Sequence, residues 1–248
     1  VSDFYLDKYE ITVGRFRAFV NAGKGTQISP PTMNAGAHPL VAGTGWDSAW
    51  NTNLSTDTAA LKTSLNCSAL YQTWTGAPGS NENRPQNCLS WIEAFAFCAW
   101  DGGRLPTAAE WNYAAAGGNE QRKYPWSIPP TSTTIDDGYA VYCGGSCTST
   151  QNVGMKPAGN GRWGHADLAG NVNELVFDAT STSASYPTTC NNCAYVISGV
   201  PFLQLTRDTQ GGFFSCGASG LLTSSFRNAA GPTGRSVVLG ARCARGTI

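Results

Sequence analysis

Apolar residues recur at helical spacing in three places. In EITVGRFRAFVNAG, Phe16, Phe19 and Val20 share a face, Thr12 is placed to cap and Gly23 to stop the helix. In SWIEAFAFCAWDGG, Trp91, Ala94, Phe95 and Cys98 form one stripe. Ser90 and Glu93 open it as a capping box, and Gly102-Gly103 ends it. The box recurs as Thr107 and Glu110 in PTAAEWNYAAAGG, which stops at Gly117-Gly118. The short link GGRLP makes these last two an αα pair. The stretches FYLDKYE, ELVFD, AYVISGV and VVLGARC read as strands. From about residue 24 to residue 86 the pattern breaks into Pro-, Gly-, Asn- and Ser-rich loops, with a fourth helix near TAALKTSL. Ordered loops of that length need fixing by disulfides, metal or aromatic packing. No linker or internal repeat interrupts the chain, so residues 1–248 read as one domain.

Composition narrows the function classes. Charged residues are only 13% of the 248, and Lys+Arg and Asp+Glu number 16 each. Such a balance gives no field to recruit nucleic acid or an anionic membrane. An uncharged polar surface instead favours interaction with a protein or glycan ligand, or self-association. Nine cysteines point to an oxidising compartment, hence to a secreted or cell-surface protein. Asn53 and Asn66 sit in the N-x-Ser pattern of glycosylation acceptors. No apolar run approaches the roughly 18 residues of a membrane span. The opening VSDFYLDKYE carries no leader and reads as the mature or trimmed form of an exported protein.

Cys67 and Cys88 flank the loop QTWTGAPGSNENRP, and a local bridge between them is expected. Cys143 and Cys147, in CGGSC, and Cys190 and Cys193, in CNNC, are close pairs on turn-like sequence. They bridge locally or cross-bridge to each other. Four thiolates could instead hold zinc, but the exported composition and the lack of charged neighbours favour disulfides.

Five blocks occur in order: YEITVGRFRAFV, RPQNCLSWIEAFAFCAWDGGRLPTAAEWNYAAAGG, YPWS, GHADLAGNVNELVFD and LGARCAR. Together they resemble the sulfatase-modifying-factor family, to which formylglycine-generating enzymes belong. The resemblance implies a loop-rich α+β fold of the C-type-lectin-like kind, stapled by disulfides. It also implies a bridge from Cys98 to Cys243, which leaves Cys216 as the odd cysteine. The family holds oxidases, iron-dependent sulfoxide synthases and members without demonstrated chemistry, so membership alone fixes no activity.

In the oxidases a GGS-x-x-C stretch supplies one catalytic cysteine and a second follows five positions later, the two holding copper(I). Here GGFFSC puts Cys216 on the first position. The second falls on Leu221 by spacing, or on Thr223 counted back from Phe226-Arg227, and neither is a useful copper(I) ligand. Phe213 replaces an active-site serine, and Asn173 and Leu175 replace two tryptophans. The expectation is therefore a non-catalytic binding or self-assembling domain with a vestigial Cys216 and no copper. The alternatives are a copper-dependent oxidase acting on a protein cysteine, and an enzyme using Cys216 alone as nucleophile. The latter needs Arg207 or Arg227 to activate the thiol, or His38 or His165 as base.

The block GNVNE resembles the family's calcium loop, with side-chain oxygens from Asn171 and Glu174 and the Val172 carbonyl as ligands. The bland reading is a turn with Asn171 in the left-handed region. A second family calcium site is expected to be lost, because Val141 stands where it uses an asparagine. Gly159, Gly161 and Gly164 spell G-x-G-x-x-G, but no strand precedes them and no capped helix follows, so no dinucleotide site is expected. Trp91 and Trp111 belong to the core. Trp46, Trp50, Trp74 and Trp163 lie on loops, where they plug their own loop or stack on a ligand.

Overall fold

The helix with the least polar sequence becomes the centre of the molecule. In the computed structural model, which describes residues 1–143, 149–180, 191–196, 200–217 and 219–247, α3 (Trp91–Trp100) buries eight of its ten residues. It follows β1 (Phe4–Leu6), α1 (Val13–Asn21) and α2 (Thr58–Ser64), and precedes α4 (Ala108–Ala115). The caps are local chemistry. Thr12 Oγ1 accepts from Arg15 N at 3.3 Å, and Thr107 and Glu110 exchange backbone-to-side-chain bonds of 3.1 and 2.9 Å. Ser90 N donates to the Glu93 carboxylate at 3.2 Å.

Two sheets follow. β2 (Asn173–Ala179), β3 (Arg207–Gln210), β4 (Arg227–Ala230) and β5 (Leu239–Gly240) form one in the order β4-β3-β2-β5, antiparallel except for the parallel β2–β5 pair. β1 and β6 (Ala244–Gly246) form the other, with Phe4 opposite Gly246. The expected strand VVLGARC is thus split. Arg242 and Cys243 fall between β5 and β6 because each is drawn inward, to Glu174 and to Cys98. The expected strand AYVISGV is not a strand over Ala194–Val196, and residues 197–199 lie outside the described residues.

All seven residues of β2 are buried, and α3 and α4 pack on it. Trp91 Nε1 donates to Val176 O at 2.8 Å, and Asp178 accepts from Ala108 N at 2.7 Å at the start of α4. Phe16, Phe19, Phe95, Phe97, Trp46 and Trp91 fill the main core. Three loop tryptophans are plugs. Trp46 and Trp74 are fully buried, and Trp50 meets Trp46 and Trp91 edge-on at 5.5 and 5.4 Å. Trp163 stays exposed and stacks on Tyr113 at 5.3 Å.

Cys67 bridges Cys88, and Cys98 bridges Cys243 across 145 residues. The long link removes chain entropy from the unfolded state, worth about 4–5 kcal/mol in the loop-closure picture. Cys193 is disulfide-bonded. Cys143 is a thiol, so the expected bridge to Cys147 does not form. Cys147 and Cys190 lie outside the described residues. Asn66 is exposed at the end of α2, whereas Asn53 is half-buried at the end of a 3₁₀ turn. Among the described residues no helix is long and apolar enough to cross a membrane.

Candidate functional site

Cys216 sits on the loop that leaves β3. Gly211 and Gly212 open it at φ +92° and +68°, a region that costs other residues strain. A Cβ on Gly212 would stand 2.5 Å from Leu221 O, so glycine alone fits there. Phe214 N donates to Asn171 O at 2.9 Å, and Cys216 N donates to Phe213 O at 3.1 Å. The turn carries the Cys216 side chain into a satellite core, where it is 2% exposed among Tyr124, Trp126, Tyr142 and Leu222. Tyr124, Trp126 and Tyr139 stack there in a row with centroid spacings of 5.1 and 5.2 Å. Phe213 and Leu221 pack against the same cluster. Thr223 is buried and donates its hydroxyl to Gly220 O at 3.1 Å.

Of the groups proposed to activate Cys216, Arg207, Arg227 and His38 have partners of their own. Arg207 lies over Trp91 at 3.9 Å and donates to Phe177 O at 3.1 Å, while burial lowers its pKa to about 10. Arg227 pairs with Asp208 at 3.3 Å. His38 approaches Glu110 Oε1 through Nε2 at 3.2 Å and accepts from Leu40 N through Nδ1 at 3.1 Å. His165 is held neutral, its pKa lowered to about 4 by burial and by Arg242.

One residue that sequence spacing did not connect to Cys216 is Cys143. Its N–H donates to Cys216 O at 3.0 Å, so the fold sets a second cysteine beside the first. Asn171 N donates to Val141 O at 2.9 Å and Val141 bridges Gly170, which fixes this neighbouring segment against the GNVNE block. The pairing spans 73 residues of sequence, beyond the reach of any local pattern.

The side chains of the GNVNE block are bonded within the protein. Glu174 is fully buried, and both its oxygens are taken. Arg242 forks onto them at 2.7 and 2.6 Å, and Trp111 Nε1 adds a bond of 2.9 Å. Asn171 Oδ1 accepts from Gln151 N at 3.0 Å, and its amide donates to Glu10 at 2.7 Å. Val172 N donates to the same Glu10 carboxylate at 3.2 Å. Asn171 does adopt the left-handed conformation, φ +60°, of the turn reading. Of the oxygens expected to hold calcium, Asn171 Oδ1 and both Glu174 carboxylate oxygens already accept from N–H groups of the protein. The cluster is acid-rich nonetheless. Burial, with Asp167 and Glu174 nearby, pushes Glu10 well above the usual carboxylate range. Burial opposes charge on Arg242, but Glu174, Glu10 and Asp167 outweigh it and hold that guanidinium protonated.

The sulfatase-modifying factor enzyme 1-like domain family matches residues 1–247. The chain belongs to this family. Formylglycine-generating enzyme of Thermomonospora curvata is similar at 28% identity over 87% of this chain and 72% of its own length. A mouse protein named inactive C-alpha-formylglycine-generating enzyme 2 is 37% identical over 34% of this chain and 29% of its own length. The structure of PvdO from Pseudomonas aeruginosa superposes with a TM-score of 0.63 at 20% identity, covering 98% of this chain and 80% of that one. The fold is the α+β, C-type-lectin-like fold of formylglycine-generating enzymes. The Glu174–Arg242 pair joins the GNVNE and LGARCAR blocks, and the backbone of Cys143 meets that of Cys216.

Proposed function

We propose that this chain is an exported, non-catalytic member of the family that binds a protein or glycan ligand, or copies of itself. The observation that carries the reading is the packing around Cys216. The thiol is sealed in a satellite core, and Leu221 and Thr223 occupy the two places where a second sulfur would follow. Leu221 offers copper(I) no donor atom, and the Thr223 hydroxyl is a hard donor already bonded to a carbonyl. The two bridges and the oxidised Cys193 support an oxidising compartment. Thiol-specific labelling of the native protein, read by intact mass, tests the reading. Cys216 is expected to resist until the protein is unfolded, and fast labelling of Cys216 in the native state would overturn it. Particles much larger than a monomer in light scattering support the self-assembling form, and a strict monomer at high concentration removes it.

One observation favours a second reading, the copper-dependent oxidase. Cys143 comes to Cys216 through the backbone and would replace the missing sulfur. A copper(I) titration of the wild type and of Cys143→Ser decides between the two. Tight binding lost in the variant supports the oxidase, and weak binding unchanged by it supports the inert site.

A further inference from the structure

Arg84 carries a charge that no group among the described residues answers. The sequence has eleven arginines. Ten of them meet a carboxylate or a carbonyl within the fold, as Arg17 meets Glu82 and Arg235 meets Glu93. Arg84 alone makes no side-chain hydrogen bond or ion pair among the described residues, although it is partly buried. Its closest acid in sequence is Glu82, and both oxygens of that carboxylate accept from Arg17, Oε1 at 2.8 Å and Oε2 at 3.1 Å. The Arg84 backbone is fixed, with N bonded to Asn81 O at 2.8 Å and O accepting from Val13 N at 2.9 Å. Disorder of the turn therefore does not explain the lone guanidinium.

The same side chain lines a cleft of about 260 Å³ with Ser80, Asn81, Gln151, Asn152 and Met155. Val153 N donates to Asn83 O at 2.9 Å and holds the two walls together. No carboxylate lines the cleft. Ser80, Gln151 and Asn152 line it, and their side chains make no hydrogen bond among the described residues. A planar guanidinium offers a rigid fork of donors matched to a carboxylate, sulfate or phosphate. Half-burial removes part of its hydration, so leaving it unanswered costs more than it would on an open surface. We infer that this cleft is a binding site for a small oxyanion group, held by Arg84 and flanked by the Ser80, Gln151 and Asn152 side chains. The shared chemistry is a planar or tetrahedral group of negatively charged oxygens, free or at the end of a larger ligand. The site deepens the binding reading above by giving the ligand a chemical class. The Asn171 bond to Gln151 N sets it one residue from the turn that supports Cys216.

The test is a nitrogen-labelled titration that follows the arginine Nε–H signals, with sodium sulfate in one arm and sodium acetate in the other, at constant ionic strength. The Arg84 signal is expected to move and saturate in at least one arm, with a half-point of about 1–10 mM. The ten partnered arginines serve as controls and are expected to stay still. Arg84→Met removes the response, read on the Gln151 and Asn152 carboxamides. Arg84→Lys keeps the charge without the fork and weakens binding about ten-fold. A response in the sulfate arm alone assigns a tetrahedral group, and one in the acetate arm alone a carboxylate. No saturation in either arm by about 100 mM, a uniform drift of all arginines, or an unchanged carboxamide response in Arg84→Met overturns the site. These outcomes are independent of the Cys216 labelling, so either reading can fail without the other.

Discussion

The core around Arg242 and the cleft around Arg84 treat the same functional group in opposite ways. Arg242 is fully buried, and every one of its donors ends on Glu174 or on a carbonyl of Asp7, Lys8 or Ala166. Arg84 is only partly buried, and its side chain makes no hydrogen bond or ion pair among the described residues. A guanidinium completed by the protein is part of the scaffold, because removing it strands its partners. One left incomplete marks a place where something else supplies the acceptor.

The largest effect expected is at the completed end. Arg242→Met leaves Glu174 charged and unpaired in a dry interior, and a loss of about 3–5 kcal/mol is expected in urea unfolding. A loss below about 1 kcal/mol would show that the pair is not the scaffold element described. Next comes Cys98→Ser with Cys243→Ser, expected to lower stability by up to about 4 kcal/mol, checked by the same unfolding curves without reductant.

Acid comes third. Burial would raise the Glu110 pKa, but His38, Arg104 and the Thr107 N–H outweigh it and lower it to about 2 from an ordinary 4.5. A carboxyl with a depressed folded-state pKa stabilises the protein above its unfolded value and loses that contribution as the pH falls toward the folded one. Stability worth about 3 kcal/mol should therefore fade between pH 4.5 and about 2. Glu110→Gln should flatten that part of the pH profile, and a profile as steep as the wild type's would assign the acid sensitivity to other groups. The smallest effect belongs to the cleft. Arg84→Met is expected to shift stability by no more than about 0.5 kcal/mol, because no hydrogen bond or ion pair among the described residues is lost. A larger loss would mean that Arg84 is structural after all, and would erase the contrast.

What the sequence made legible was local chemistry. Thr12, Ser90 and Thr107 mark helix starts because a cap acts over three residues, and a three-residue rule can be read from three residues. The aromatic stripe on α3 announces the core for the same reason. Partners distant in sequence were not legible. Glu174 reads as a metal ligand in sequence, and its pairing with Arg242, 68 residues later, is not visible there. Cys143 looked half of a local turn bridge, yet the fold sets it beside Cys216. The strand expected over VVLGARC breaks because Arg242 and Cys243 each answer a remote partner, which outweighs strand propensity. Trp46 and Trp74 sit on loops in sequence and inside the core in space, with Trp50 packed against it. Arg84 shows the converse limit, because a missing partner becomes visible only once every other arginine has been placed.

The antiparallel pairing of Phe4 with Gly246 has a mechanical consequence. Both ends of that ribbon lie at the same edge, so tension applied through them opens the hydrogen bonds one after another, as a zip rather than in shear. The tear would run from Phe4 toward Leu6 and reach Cys243, whose carbonyl holds Asp7 N and whose sulfur is tied to the central helix. Beyond that rivet the chain can yield no further from its C-terminal side, and a weak seam at the rim would spare the interior.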